Sequence, residues 1–267
     1  MAEFSSVFEH IKNVLSEDDI NSLKQICKKH FSQEQAIPSY VLLDYLDIPV
    51  FKKIKLLLEE KINAKLYYLN DFYIYTDNTF SASWHMDTEL FTFERAINVW
   101  ILLSPDSVTD PLCFMADIND KPERYYHSLK IDSDNCMFVN FTNLDSTECS
   151  LATIEQERIH TPTIQVGDIL TINPKRFHKT NTSEAKHSLV IKFVYEGSNG
   201  LLSDSPMPSE FWPEVGIFTN LVNQSTDWNQ VLSGLREELK TPESRKALSA
   251  GFYPEKIDLY QRMAQTL

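Results

Sequence analysis

Apolar residues recur at helical spacing along residues 1–65 and then, from Lys65 to Tyr195, in short runs with the character of strands. Ser16 followed by Glu17, Asp18 and Asp19 reads as an N-cap with an acidic first turn, and Ile20, Leu23, Ile26, Cys27 and Phe31 then share one helical face. Asp47 and Pro49 open a second helix with the apolar stripe Val50, Ile54, Leu57, Leu58 and Ile62. Stripes of this kind are predicted to pack on a sheet rather than to receive a partner.

Leu66 to Leu69 and Phe72 to Tyr75 are aromatic and branched and are separated by Asn70-Asp71, which predicts strand, turn, strand. Ala96 to Leu103 is apolar on both faces and belongs in the middle of a sandwich. Further strands are predicted at 111–115, 136–141, 169–172 and 187–195. Many short strands without long intervening helices point to a mainly β fold with flanking helices, an antiparallel sandwich or jelly roll. The polar connections 116–130 and 143–160 read as long loops, where lids usually sit. After Gly197 the pattern turns helical again, with Ser225-Thr226-Asp227 capping one helix and Thr241-Pro242-Glu243 starting another. The expected organisation is one domain: N-terminal helices over 1–65, a β core over 66–196 and a helical C-terminal extension over 197–267, with Ser203 to Pro213 as linker.

Composition narrows the function. A chain of 267 residues that is 42% hydrophobic can bury a sizeable core. Its net charge of -13 argues against a nucleic-acid partner, because phosphate binding needs a basic face. Met1-Ala2-Glu3-Phe4-Ser5 lacks the pattern of a signal peptide, and nowhere do about 18 apolar residues run together. No membrane partner and a cytoplasmic location are therefore expected. Cys27, Cys113, Cys136 and Cys149 have no paired metal spacing and read as reduced thiols, mostly in the core. Nothing in the chain specifies an oligomeric state.

The candidate chemistry centres on Ser83-Trp84-His85-Met86-Asp87 and His178. A histidine and a carboxylate two residues apart, joined by a distant histidine, can hold one face of an iron ion and leave three positions open. Each residue alone is more simply a loop residue or turn cap; their order relative to the flanking strands favours the metal.

Trp84-His85-Met86-Asp87, Asn98-Val99-Trp100-Ile101-Leu102-Leu103, Asp110-Pro111-Leu112 and Gly167-Asp168-Ile169-Leu170, leading to His178 and Asn181-Thr182-Ser183, resemble the phytanoyl-CoA dioxygenase-like branch of the iron(II)/2-oxoglutarate oxygenases. The resemblance covers roughly Tyr67 to Tyr195. It implies a double-stranded β-helix, the cupin-like jelly roll, with His85, Asp87 and His178 as ligands of Fe(II) and Asn98 beside the cosubstrate. It also implies a dioxygenase using 2-oxoglutarate and O2 and releasing succinate and carbon dioxide.

Two positions depart from the family pattern. Where the family has Arg-x-Ser after the distal histidine, this chain has Lys186-His187-Ser188, a point charge without a bidentate fork. Lys186 with Ser188 is the first choice for the cosubstrate anchor. Lys192 is the alternative, since 186, 188, 190 and 192 share a strand face. His187 falls on the opposite face, where a structural role is expected. Tyr73 and Tyr75 reach towards the cosubstrate from a neighbouring strand or serve in packing. The family's Gly-Ser-His turn is replaced by Met115-Ala116-Asp117-Ile118-Asn119, so family substrates do not transfer.

The expected reaction is hydroxylation, desaturation or oxidative cyclisation of a small-molecule substrate, amino-acid-derived or a natural-product intermediate. Asp87 fills the position that halogenation would need vacant. Two rival readings remain: a cupin-like iron oxygenase without a keto acid, and a non-catalytic ligand-binding relative.

Overall fold

The computed structural model describes residues 8–31, 41–76, 95–105, 107–108, 112–115, 125–131, 137–143, 148–149, 159–174, 178–180 and 185–196, and positions 227, 230, 233, 234 and 237. The strands are β1 (Phe8–Ile11), β2 (Leu66–Thr76), β3 (Ala96–Ser104), β4 (Ser107–Val108), β5 (Leu112–Met115), β6 (Tyr125–Ile131), β7 (Met137–Asn143), β8 (Glu148–Cys149), β9 (Ile159–His160), β10 (Ile164–Gln165), β11 (Ile169–Ile172), β12 (His178–Thr180) and β13 (Lys186–Tyr195). Helix α1 spans Glu17–Phe31 and α2 spans Pro49–Ile62, with a short 3-10 turn at Val41–Tyr45 between them.

Both helices form where local chemistry asks for them. The Ser16 hydroxyl accepts from the Asp19 amide at 3.2 Å while the Asp19 carboxylate accepts from the Ser16 amide at 2.9 Å, closing the first turn of α1 reciprocally. Pro49 opens α2 after an extended Ile48, and Asn63 closes it in the left-handed region (φ 50°), donating its amide to carbonyls one turn back. Val50, Phe51, Ile54, Leu58 and Ile62 are buried, whereas Leu57 of the expected stripe is only half-buried. Among the described residues no helix is long and apolar enough to cross a membrane.

A five-stranded antiparallel sheet runs β1-β11-β3-β13-β2, and a second sheet runs β12-β5-β9. Setting aside β4 with β10 and β6 with β7 and β8, which pair in two smaller sheets, the chain from β3 onward alternates between the two: β3 in the first, β5 and β9 in the second, β11 back in the first, β12 in the second, β13 in the first. This alternation is the winding of a double-stranded β-helix, the jelly roll. One face of the large sheet packs on α1 and α2 through Ile97, Val99, Ile101, Leu189, Ile191 and Phe193. The other meets the second sheet through Trp100, Leu102, Leu170, Ile172, Val190 and Leu112.

Several expectations are corrected. The N-terminal part is not purely helical: Phe8–Ile11 is an edge strand paired with β11, held at its end by the buried Asp168 carboxylate, which accepts from the Asn13 amide at 2.9 Å and meets His10 Nε2 at 2.7 Å. Gly167 sets up that turn at φ +98°, where a Cβ would stand 2.8 Å from the Leu15 carbonyl oxygen. The two strands predicted around Asn70-Asp71 are one, β2, with Leu69 left out of register opposite the Lys192/Phe193 step. Asp71 stays inside because its carboxylate accepts from the Leu42 amide and the Tyr68 hydroxyl. The connections 116–130 and 143–160 are not plain loops: they contribute β6 and β8, which pair on either side of β7 in a separate three-stranded sheet. Of the C-terminal extension, Gln230, Ser233, Gly234 and Glu237 are helical, within the helix expected after Asp227. The linker and remaining helices expected there lie outside the described residues.

Candidate active site

Alternation along β13 sends His187, Leu189, Ile191 and Phe193 to the helices and Lys186, Ser188, Val190 and Lys192 to the space between the sheets. Three of the four inward residues are polar. Lys186 is 1% exposed, Ser188 2% and Lys192 5%. Asn98, paired with Lys192 across the β3–β13 ladder, is 1% exposed. His178, expected just beyond a strand, is itself the first residue of β12 and is 5% exposed. It shares its side of the second sheet with Thr180, whose partner Leu112 packs against Trp100 and Val190, so the imidazole belongs to the same interior. A buried ammonium or imidazole is retained only where oxygens or anions meet it, so this group of side chains is a place built for polar contact inside an apolar sandwich.

The residues singled out in the sequence fall into three groups. Lys186, Ser188, Lys192, Asn98 and His178 all enter the inter-sheet space. In the β2–β13 register Tyr75 is opposite His187, and Thr76 is opposite Lys186. His85 and Asp87 lie outside the described residues. Among the described residues no three His, Cys, Asp or Glu side chains gather as a metal site.

Asn98 stands with Lys192 and not with Lys186, a juxtaposition that appears only once the ladder register is known. Tyr73 and His187 form a hydrogen-bonded pair, Tyr73 hydroxyl to His187 Nδ1, in the helix-side core. Burial there, aided by the positive charge of Lys24, depresses the His187 pKa to about 4, which keeps the ring neutral. The structural role expected for His187 agrees with this position, and Tyr73 packs rather than reaching the interior. Arg95, just before β3, stacks its guanidinium 4.6 Å from the centroid of the Tyr195 ring.

No protein-family model matches the sequence, and no curated protein matches it significantly. Solved structures do match in fold. EvdO2 from Micromonospora carbonacea var. aurantiaca, complexed with 2-oxoglutarate, superposes with a TM-score of 0.53 at 14% identity, over 76% of this chain and 91% of its own. The non-heme monooxygenase ThoJ gives 0.51 at 10% identity, over 73% and 76%. SnoK, a non-heme alpha-ketoglutarate-dependent carbocyclase from nogalamycin biosynthesis, gives 0.50 at 13% identity, over 73% and 82%. At these identities the likeness is one of fold.

Proposed function

We propose that the chain is a non-heme iron(II)/2-oxoglutarate-dependent oxygenase of a small metabolite, with a natural-product intermediate as the substrate class. The observation that carries this reading is a buried imidazole, His178, and a buried lysine with a neighbouring hydroxyl, Lys186 and Ser188, entering one inter-sheet space of a jelly roll. The fold is one shared with a structure that holds 2-oxoglutarate. The donor set suits the group: an imidazole for a divalent ion, an ammonium and a hydroxyl for a carboxylate.

In this reading His178 holds the metal together with His85 and Asp87. Iron with 2-oxoglutarate and O2 would supply the oxidising power for hydroxylation, desaturation or ring closure, with succinate and carbon dioxide released. Lys186 meets the far carboxylate of the keto acid as a point charge, and Ser188, two residues on along the same face, donates its hydroxyl to it. Burial of both excludes water from that contact and strengthens it. The apolar row of Trp100, Leu170 and Val190 walls the site, which keeps reacting groups away from bulk solvent.

Anaerobic titration of the full chain with iron(II) and 2-oxoglutarate, following the weak visible charge-transfer band of the chelate, tests the reading. The wild type is expected to develop the band, and His178→Ala to lose it. Lys186→Met should weaken 2-oxoglutarate at least tenfold while retaining iron. Absence of the band in folded wild type overturns the oxygenase reading; unchanged keto-acid affinity in Lys186→Met overturns the anchor alone.

A further inference from the structure

We propose that the inter-sheet space holds two anion seats: Lys186 with Ser188 for the distal carboxylate of 2-oxoglutarate, and Lys192 with Asn98 for an oxyanion, carboxylate or phosphate, carried by the substrate. The proposal rests on the oxygenase reading above and names the substrate class for that site.

Spacing is the first ground. Lys186 and Lys192 face the same way on one strand, and at about 3.3 Å per residue their backbones stand roughly 20 Å apart. Backbones that far apart do not bring two ammonium groups onto a single carboxylate. Between Ser188 and Lys192 the row is apolar, with Val190 paired to Trp100 and Trp100 to Leu170, so the two polar positions are separate places rather than one long polar groove.

Composition of the second seat is the next ground. Lys192 and Asn98 are direct partners on adjacent strands, both buried, and together offer an ammonium and an amide N–H, the donor pair that an oxyanion takes. Both already take part in interactions within the folded chain. An incoming oxyanion would join or exchange with those contacts, which is a smaller demand than burying a new charge.

The third ground is connectivity to His178. Ile172 is paired with Asn98 and lies six residues before His178, while Lys186 lies eight residues after it. Sheets stack about 10 Å apart, and His178 opens β12 on the side of the second sheet whose Leu112 packs with Trp100 and Val190, the row that both seats flank. A metal on His178 would thus have one seat for its cosubstrate and another for the molecule to be oxidised. Asn98, which the family resemblance sets beside the cosubstrate, belongs by register to the second seat.

The test uses the full chain, anaerobic, saturated with iron(II) and 2-oxoglutarate, titrated with hexanoate in one arm and inorganic phosphate in the other. Binding is followed by calorimetry and by perturbation of the chelate band. Saturable binding of one probe is expected, and which probe binds identifies the oxyanion. Lys192→Met should weaken that probe at least tenfold and leave 2-oxoglutarate affinity within twofold; Lys186→Met should weaken 2-oxoglutarate without changing the protein's circular dichroism. Asn98→Asp, which puts a carboxylate beside Lys192, should abolish probe binding and gives an independent variant if Lys192→Met does not fold. The proposal is overturned if neither probe binds the wild type, if both Lys192→Met and Asn98→Asp bind the probe as wild type does, or if Lys192→Met loses 2-oxoglutarate. A folded wild type that fails to take up 2-oxoglutarate at all sinks the underlying oxygenase reading, and this proposal with it.

Discussion

The two faces of the large sheet are built by the same strands and differ in what they bury. Towards the helices, Phe193 sits with its ring centroid 5.6 Å from that of Phe51, which in turn meets Tyr68 edge-on at 5.9 Å, and Leu189 and Ile191 complete a dry layer. Polar groups there are tied into hydrogen bonds, as with Tyr73 and His187 or Asp71 and the Leu42 amide. Towards the second sheet, apolar rows are interrupted by Lys186, Ser188, Lys192 and Asn98. A sheet held by one well-packed face can carry polar residues on the other, because hydrophobic stabilisation scales with the area buried wherever it lies.

Truncating the dry face should therefore cost far more stability than truncating the polar one. Phe193→Ala removes a fully buried ring and leaves a cavity, for an expected loss of about 3–5 kcal/mol. Ser188→Ala, one hydroxyl on the opposite face, should cost only about 0.5–1.5 kcal/mol. Urea denaturation of both variants measures the difference. Equal losses would mean that the helical layer is not the stabilising one.

The faces should also differ in their response to acid. The His187 pKa is lowered from 6.5 to about 4, by burial first and by Lys24 second. Between those values the unfolded chain takes up a proton that the folded chain refuses. Stability should thus be fully present above pH 6.5 and decline as pH falls towards 4, with no further contribution from this group below. His187→Gln removes that part of the slope, which unfolding curves at pH 7, 5.5 and 4 would reveal. A slope unchanged by the substitution would place the acid sensitivity elsewhere. Asp168 behaves in the ordinary carboxylate sense: burial alone would raise its pKa, yet bonds from the Asn13 amide, His10 and the Gln165 amide hold it lowered, so its contribution is lost as pH falls below the usual carboxylate range.

Much of this division is legible in the linear chain, for identifiable reasons. Strands β3, β11 and β13 read clearly because they are buried on both faces and each is mostly apolar and branched, with Leu189, Val190, Ile191, Phe193 and Val194 in β13. Helices α1 and α2 carry their own caps and stripes. Parity alone sets Lys186, Ser188 and Lys192 on one side of β13 and His187 on the other. Elements that depend on distant partners are less legible. Phe8-Glu9-His10-Ile11 has no local pattern of its own and is a strand because β11 and Asp168 receive it. Asn70-Asp71 has the composition of a turn and becomes mid-strand because Asp71 finds donors inside. Tyr125 to Ile131 is flanked by polar residues along the sequence and is a strand through pairing with β7. The same dependence governs the site: the Lys192–Asn98 pairing and the position of Tyr75 opposite His187 follow from ladder register, which turn geometry and sheet packing decide together.

The smallest expected effect separates local from tertiary support within the dry layer itself. Ser16 closes α1 through the paired contacts with Asp19, and Lys53 of α2 reaches the same Asp19 carboxylate at 2.7 Å, so one cap ties both helices. Ser16→Ala removes the side-chain acceptor and should cost about 1 kcal/mol. The Lys53 ion pair is half-exposed and adds little on its own. Leu15, Ile20, Leu23 and Cys27 continue to pack on the sheet, so the helix persists and the interior face is undisturbed. Denaturation should show the loss while 2-oxoglutarate affinity stays at its wild-type value. A fall in keto-acid affinity accompanying so small a change would show that the helical layer sets the geometry of the polar face as well as its stability.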